Sequence, residues 1–190
     1  MDGDILRNSA QIPTFRYRTI LIGTLLLTLI TAVLPTGIDS DLLILATAGF
    51  LYGIVLVVSL ARRTTIARAI IGVLILGLTN YPGHLFLVSA LGQIAGDASV
   101  ILVFPALAGA AVTVLVLKWL WTVPIGFFRA IVLIVAVLPA GLYWYWSDVS
   151  NSGDVAALKE WLVAILEILW WWGFTLGLVL TDRSARLSRA

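Results

Sequence analysis

Six runs of apolar residues, each close to the length of a membrane-crossing helix, leave this chain few other ways to fold. They extend approximately over Thr19 to Leu34, Leu42 to Ala61, Ala67 to Leu91, Ser99 to Leu120, Gly126 to Trp146 and Trp161 to Thr181. A helix rises about 1.5 Å per residue, so a hydrocarbon core of about 30 Å takes about 20 residues. Backbone N–H and C=O groups must be paired within the segment in lipid, and the period-two alternation of a β-barrel is missing from these runs. The sequence therefore predicts an all-α, polytopic integral membrane protein: a six-transmembrane-helix bundle over 19–181. A cytoplasmic N-terminal segment, 1–18, precedes it and a cytoplasmic basic tail, 182–190, follows it. With 61% apolar and 12% charged residues among 190 and a mean hydropathy of +1.07, the composition lies outside that of soluble domains.

The charges set the expected topology, because Lys and Arg are retained on the cytoplasmic side of short loops. Arg7, Arg16 and Arg18 precede the first run, and Arg62, Arg63 and Arg68 lie between the second and third. Lys118 and Arg129 flank the fourth connection, Arg183, Arg186 and Arg189 follow the sixth run, and Lys159 alone falls on the opposite side. That other side carries Asp39, Asp41, Asp97, Asp148, Asp154 and Glu160. Both termini are thus expected in the cytoplasm of a multi-pass protein of the cell membrane, with the first run retained as a helix because no small-residue cleavage site follows it. Trp119, Trp121, Phe127 and Phe128 would form the inner aromatic belt and Tyr143, Trp144, Tyr145, Trp146 and Trp161 the outer one.

Self-similarity is weak but present. Arg18-Thr19-Ile20-Leu21, Arg68-Ala69-Ile70-Ile71 and Arg129-Ala130-Ile131-Val132 open the odd-numbered runs, each with a later proline: Pro35, Pro82 and Pro139. The pattern suggests three tandem two-helix hairpins. Chance alignment of Leu, Ile, Val and Ala among positive-inside flanks produces the same pattern, and the two readings stay open at this point.

Within so apolar a chain the polar exceptions are few. The third run is interrupted by Asn80-Tyr81-Pro82-Gly83-His84, which holds the single histidine. His84 is 16 residues beyond Arg68, and Glu167 is 16 residues before Arg183. Both therefore fall about 24 Å above the inner anchors, in the outer third of the bilayer. A charged group at such depth costs about 2.5–3.5 kcal/mol on insertion scales and usually faces a partner or a wet cavity. The expected site is a ligand-binding or proton-relay group of His84, Glu167, Asn80 and Tyr81, with Trp170, Trp171 and Thr47 as candidate pocket wall. The bland alternative is a pair of side chains reaching for the outer headgroups or joined by one interhelical hydrogen bond. Trp170-Trp171-Trp172 points three rings about 100° apart, which fits packing and lipid contact as well as an apolar wall for Glu167. Gly173 and Gly177, Gly49 and Gly53, and Ala106 and Ala110 have the small-xxx-small spacing of close helix contacts, within the chain or between subunits.

Several functions lack their parts. Without cysteine there are no disulfides, thiolate metal sites or cysteine nucleophiles, and one histidine cannot form a bis-histidine haem site. No HExxH, GxSxG or phosphate loop occurs, so no catalytic residue, metal or cofactor is expected, although the enzyme question is not closed. Basicity here reports topology, not nucleic acid. The expected partner is the lipid bilayer, joined by other membrane subunits or a second copy if the Gly/Ala faces are external. The leading function is binding or moving a small solute or proton through the outer polar site. The alternatives are a non-catalytic subunit or assembly component of a larger membrane complex and, third, a lipid-modifying enzyme.

Overall fold

A computed structural model describes residues 15–33, 41–60, 64–80, 103–150 and 156–187. Their secondary structure is helical, apart from an isolated antiparallel bridge between Phe15 and Leu60. In chain order the helices are α1 (Tyr17–Val33), α2 (Asp41–Ser59), α3 (Ile66–Asn80), α4 (Val103–Leu115), α5 (Phe127–Val135), α6 (Leu138–Ser150) and α7 (Ala156–Leu187). A π-helical turn, Val116–Leu120, continues α4, and α5 and α6 are two parts of one rod, so the described helices form six rods. Two stretches, Val103–Leu120 and Ile165–Asp182, are long and apolar enough to cross a membrane. Tyr17–Ala32, Gly49–Ser59, Ile66–Thr79 and Phe127–Tyr143 are shorter apolar helices.

Rods that follow one another in sequence pack together in space. α1 lies on α2, α2 on α3, α3 on α4, and α4 on both α5 and α6; these lie on α7, which returns to α1 and closes the set. The start of α1 is tied to the end of α2 by the backbone, where Arg16 N–H donates to the Ser59 carbonyl at 2.7 Å. The closed arrangement gives every rod an inner face, and α7 meets the most neighbours.

The fifth apolar run differs from its sequence reading by a break. Pro139 has no N–H to donate back to the preceding turn, so α5 ends at Val135 and a turn at Ala136–Val137 precedes α6. The proline is thereby placed in the first turn of a new helix, where a missing donor leaves nothing unpaired. The break also brings the Ala136 carbonyl so close to α7 that a Cβ at position 173 would collide with it, and Gly173 meets that requirement.

At the foot of α4 the π-turn widens the helix, with Trp121 N–H bonded to the Val116 carbonyl at 3.0 Å and Val123 N–H to that of Leu117 at 2.8 Å. Thr122 sits at φ +55°, a left-handed conformation that a β-branched residue rarely adopts. The turn holds Trp121, Val123 and Ile125 inside while Trp119, 76% exposed, remains outside. Trp121 Nε1–H then donates to the Arg68 carbonyl of α3 at 2.9 Å.

The interior is largely apolar but holds a few polar side chains, and the outer surface is rich in aliphatic ones. Thr24, Ser59, Thr113, Glu167, Thr175 and Asp182 are buried. The outward positions carry Ile22, Leu25, Leu26 and Leu29 on α1, Ile70, Ile71, Leu74 and Leu78 on α3, and Leu176 and Leu180 on α7. Soluble monomers seldom expose contiguous apolar patches beyond a few hundred Å².

Candidate functional site

The inner face of α7 carries Glu167, Trp170, Trp171, Phe174, Thr175, Leu178 and Asp182, a spacing of three and four residues that keeps them on one side of the helix. Read from Glu167 toward the C-terminus of α7, this face passes through three environments.

Glu167 is 8% exposed, and among the described residues no hydrogen-bond or ion-pair partner meets its carboxylate. Trp170 and Trp171, one turn further on, are both buried. Tyr52 of α2 comes in against them, its ring edge-on to Trp170 (centroids 5.7 Å apart, 82° between planes) and parallel to Trp171 (6.3 Å, 13°). Phe174 stacks on the other side of the group, 5.4 Å from Trp170. Four rings thus form a floor beneath Glu167. Trp170 Nε1–H is bonded to the Ala106 carbonyl of α4 at 3.0 Å, whereas Trp171 Nε1 is buried without a partner among the described residues.

Below the rings lies a chain of hydroxyls whose direction follows from donor counting, since each carries one hydrogen. Thr24 donates to the Ile20 carbonyl of its own helix at 2.8 Å. The Thr24–Thr175 contact, 3.0 Å, must then use the hydrogen of Thr175, and the Tyr52–Thr175 contact, 2.9 Å, that of Tyr52. The alternative acceptor for Tyr52, the Trp171 carbonyl, is 3.5 Å away and a poorer fit. The order Tyr52 to Thr175 to Thr24 ends on a backbone carbonyl, so the chain joins α1, α2 and α7 but provides no onward proton carrier.

At the far end, Asp182 is fully engaged. Tyr17 of α1 donates its hydroxyl to the carboxylate, and Arg129 of α5 approaches it at 3.5 Å. Arg129 Nε–H also donates to Thr181 Oγ1 at 3.1 Å, although its Nη2 is buried without a partner. This cluster fastens three helices around one charge pair.

Beside the ring floor, between α2, α3, α4 and α7, is a cavity of about 10 Å³ lined by Gly49, Tyr52, Leu76, Thr79, Gly109, Thr113 and Trp170. That is about the least space that accepts one water. Thr79 donates to the Ile75 carbonyl at 2.7 Å and Thr113 to the Gly109 carbonyl at 2.8 Å.

Of the residues expected from sequence, the structure brings Glu167, Trp170 and Trp171 to the interior of the bundle. His84 and Tyr81 lie outside the described residues. Asn80 is in α3 and Thr47 in α2, with side chains outside the described set. Sequence reasoning missed Tyr52, Thr175 and Thr113 around the rings, and Tyr17, Arg129 and Asp182 below. The α7 members were accessible from spacing, because Thr175 and Asp182 continue the face of Glu167 and Trp171. Their partners on other helices were not.

Compared with protein-family models, curated proteins and solved structures, the chain matches none.

Proposed function

We propose that the chain is a six-span membrane protein, both termini cytoplasmic, that binds or moves a small solute or proton at a polar site in its outer half. Glu167 is the titrating carboxylate of that site, with His84, Asn80 and Tyr81 contributed by the third span. The observation that carries the reading is a buried carboxylate with no described partner, one helical turn from a cluster of four aromatic rings. Structural carboxylates at such depth are paired, as Asp182 is, and Glu167, which has no partner among the described residues, is placed to meet a ligand or proton or the polar residues of the third span. The membrane reading itself is supported by the aliphatic outer surface of the rods.

The site reading is favoured over a purely assembling role by the use made of the small-residue faces. Gly173 and Gly177 lie against Ala136 and Leu133 of the same chain, and Ala106 and Ala110 are buried in it. These faces are occupied internally and are not offered to a partner subunit.

The test is proton flux in sealed vesicles of the purified protein with an entrapped pH dye, driven by a potassium diffusion potential. Wild-type protein should carry protons and Glu167→Gln should not, with both folded to the same extent. Equal flux from the two would remove Glu167 from the function. Carbodiimide labelling provides a second readout, since a protonated carboxyl in an apolar site reacts and retains its adduct, whereas one in contact with headgroup water is ionised or loses its adduct to hydrolysis.

A further inference from the structure

The lining of the cavity beside the ring floor has an unusual chemical bias. Its hydrogen-bonding side chains are Tyr52, Thr79, Thr113 and Trp170, and the hydrogen of each is already committed. Thr79 donates to Ile75, Thr113 to Gly109 and Trp170 to Ala106, all backbone carbonyls, and Tyr52 donates to Thr175. What remains is lone pairs on three hydroxyl oxygens and the indole ring, which are acceptors only. A water placed there could give hydrogen bonds but would receive none from these side chains. A cation has no need to receive any, is attracted by an indole ring, and is of a similar size when it is ammonium or potassium. The counter-charge is near, because Glu167 is one helical turn from Trp170 and has no described cationic partner.

We propose that this cavity, between α2, α3, α4 and α7, binds one dehydrated monovalent cation of the ammonium size, held by Tyr52, Thr79, Thr113 and the Trp170 ring. The inference rests on the binding reading above for its counter-charge, Glu167. It adds the substrate class: a small cation reaching the ring floor from the Glu167 side, with glycines at positions 49 and 109 leaving the space it fills.

Position 109 supplies a clean probe. A methyl group there would meet the Trp170 ring at 3.8–4.0 Å, an ordinary contact, so Gly109→Ala is accommodated without displacing the helix and takes volume from the cavity. The experiment is thermal unfolding of the full chain in detergent, titrated with ammonium, potassium or choline chloride at constant ionic strength. A ligand that binds only the folded state raises the midpoint with concentration, by several degrees when well above its dissociation constant. Ammonium or potassium should give that saturable rise in the wild-type protein, choline should not, and Gly109→Ala, folded with an equal or higher midpoint in choline, should abolish it. Thr113→Val should weaken it in the same direction. Identical midpoints in the three salts, the outcome for a cavity that holds water alone, would overturn the proposal, as would an undiminished rise in Gly109→Ala. Proton flux is not measured here, so failure of the cation site and failure of the Glu167 reading are separately visible.

Discussion

Two carboxylates fifteen residues apart on the inner side of α7 have opposite surroundings. Asp182 has a phenol from α1 and a guanidinium from α5 gathered on it, and it joins three helices. Glu167 is as deeply buried yet meets no described donor. Burial alone therefore does not distinguish the two acids; the number of described protein groups committed to each does. An acid with its partners in place contributes to holding the helices, and one without them weakens the fold unless something else arrives.

The largest expected effect comes from the engaged end. Asp182→Asn leaves Arg129 charged, buried and short of its partner, which should destabilise the protein by about 3–5 kcal/mol. Thermal or denaturant unfolding in detergent measures it, and a loss below 1 kcal/mol would mean that the two acids are alike after all.

Glu167→Leu should act with the opposite sign, stabilising by about 1–3 kcal/mol because the desolvation penalty of the carboxylate disappears, while flux is lost. A strongly destabilised Glu167→Leu would reveal a partner and erase the contrast. Between the two ends, Tyr52→Phe keeps the ring in the floor and removes the first donor of the hydroxyl chain. About 1 kcal/mol should be lost, as for one buried hydrogen bond, and Tyr52→Phe combined with Thr175→Val should cost less than the sum of the separate losses. The smallest effect belongs to the inner turn, where Thr122→Gly relieves a positive φ and should raise stability by about 1 kcal/mol. It sharpens the comparison by showing that strain at this end of the bundle lies in the turn, not in the Asp182 cluster.

Much of the architecture was legible beforehand. Residues 19–181 read as six membrane-crossing helices; the described residues fall into six helical rods, two of which are long and apolar enough to cross a membrane. The fifth run read as unbroken although Pro139 was in plain view, because a proline inside an apolar run is compatible with a kink, an end or a new start. Only the approach of α7, with Gly173 seated on the Ala136 carbonyl, selects the break. In the same way Glu167 was singled out by its charge in an apolar context, while Asp182, four turns on and beside Arg183, read as part of a solvated tail. Its burial depends on Tyr17 and Arg129, which are 165 and more than 50 residues away in sequence.

The sequence by itself determined that the described residues are helical and roughly where most of their helices lie, since apolar length and the need to pair every backbone group are local properties. It also marked Glu167, because an ionisable residue within an apolar run is conspicuous without any neighbour. Tertiary structure alone decided that Asp182 is engaged by Tyr17 and Arg129, which hydroxyls have their hydrogens committed, and that Tyr52 of α2 joins the three rings of α7 beside Glu167. Those outcomes depend on distances between side chains from different helices, and no spacing within a single helix encodes them.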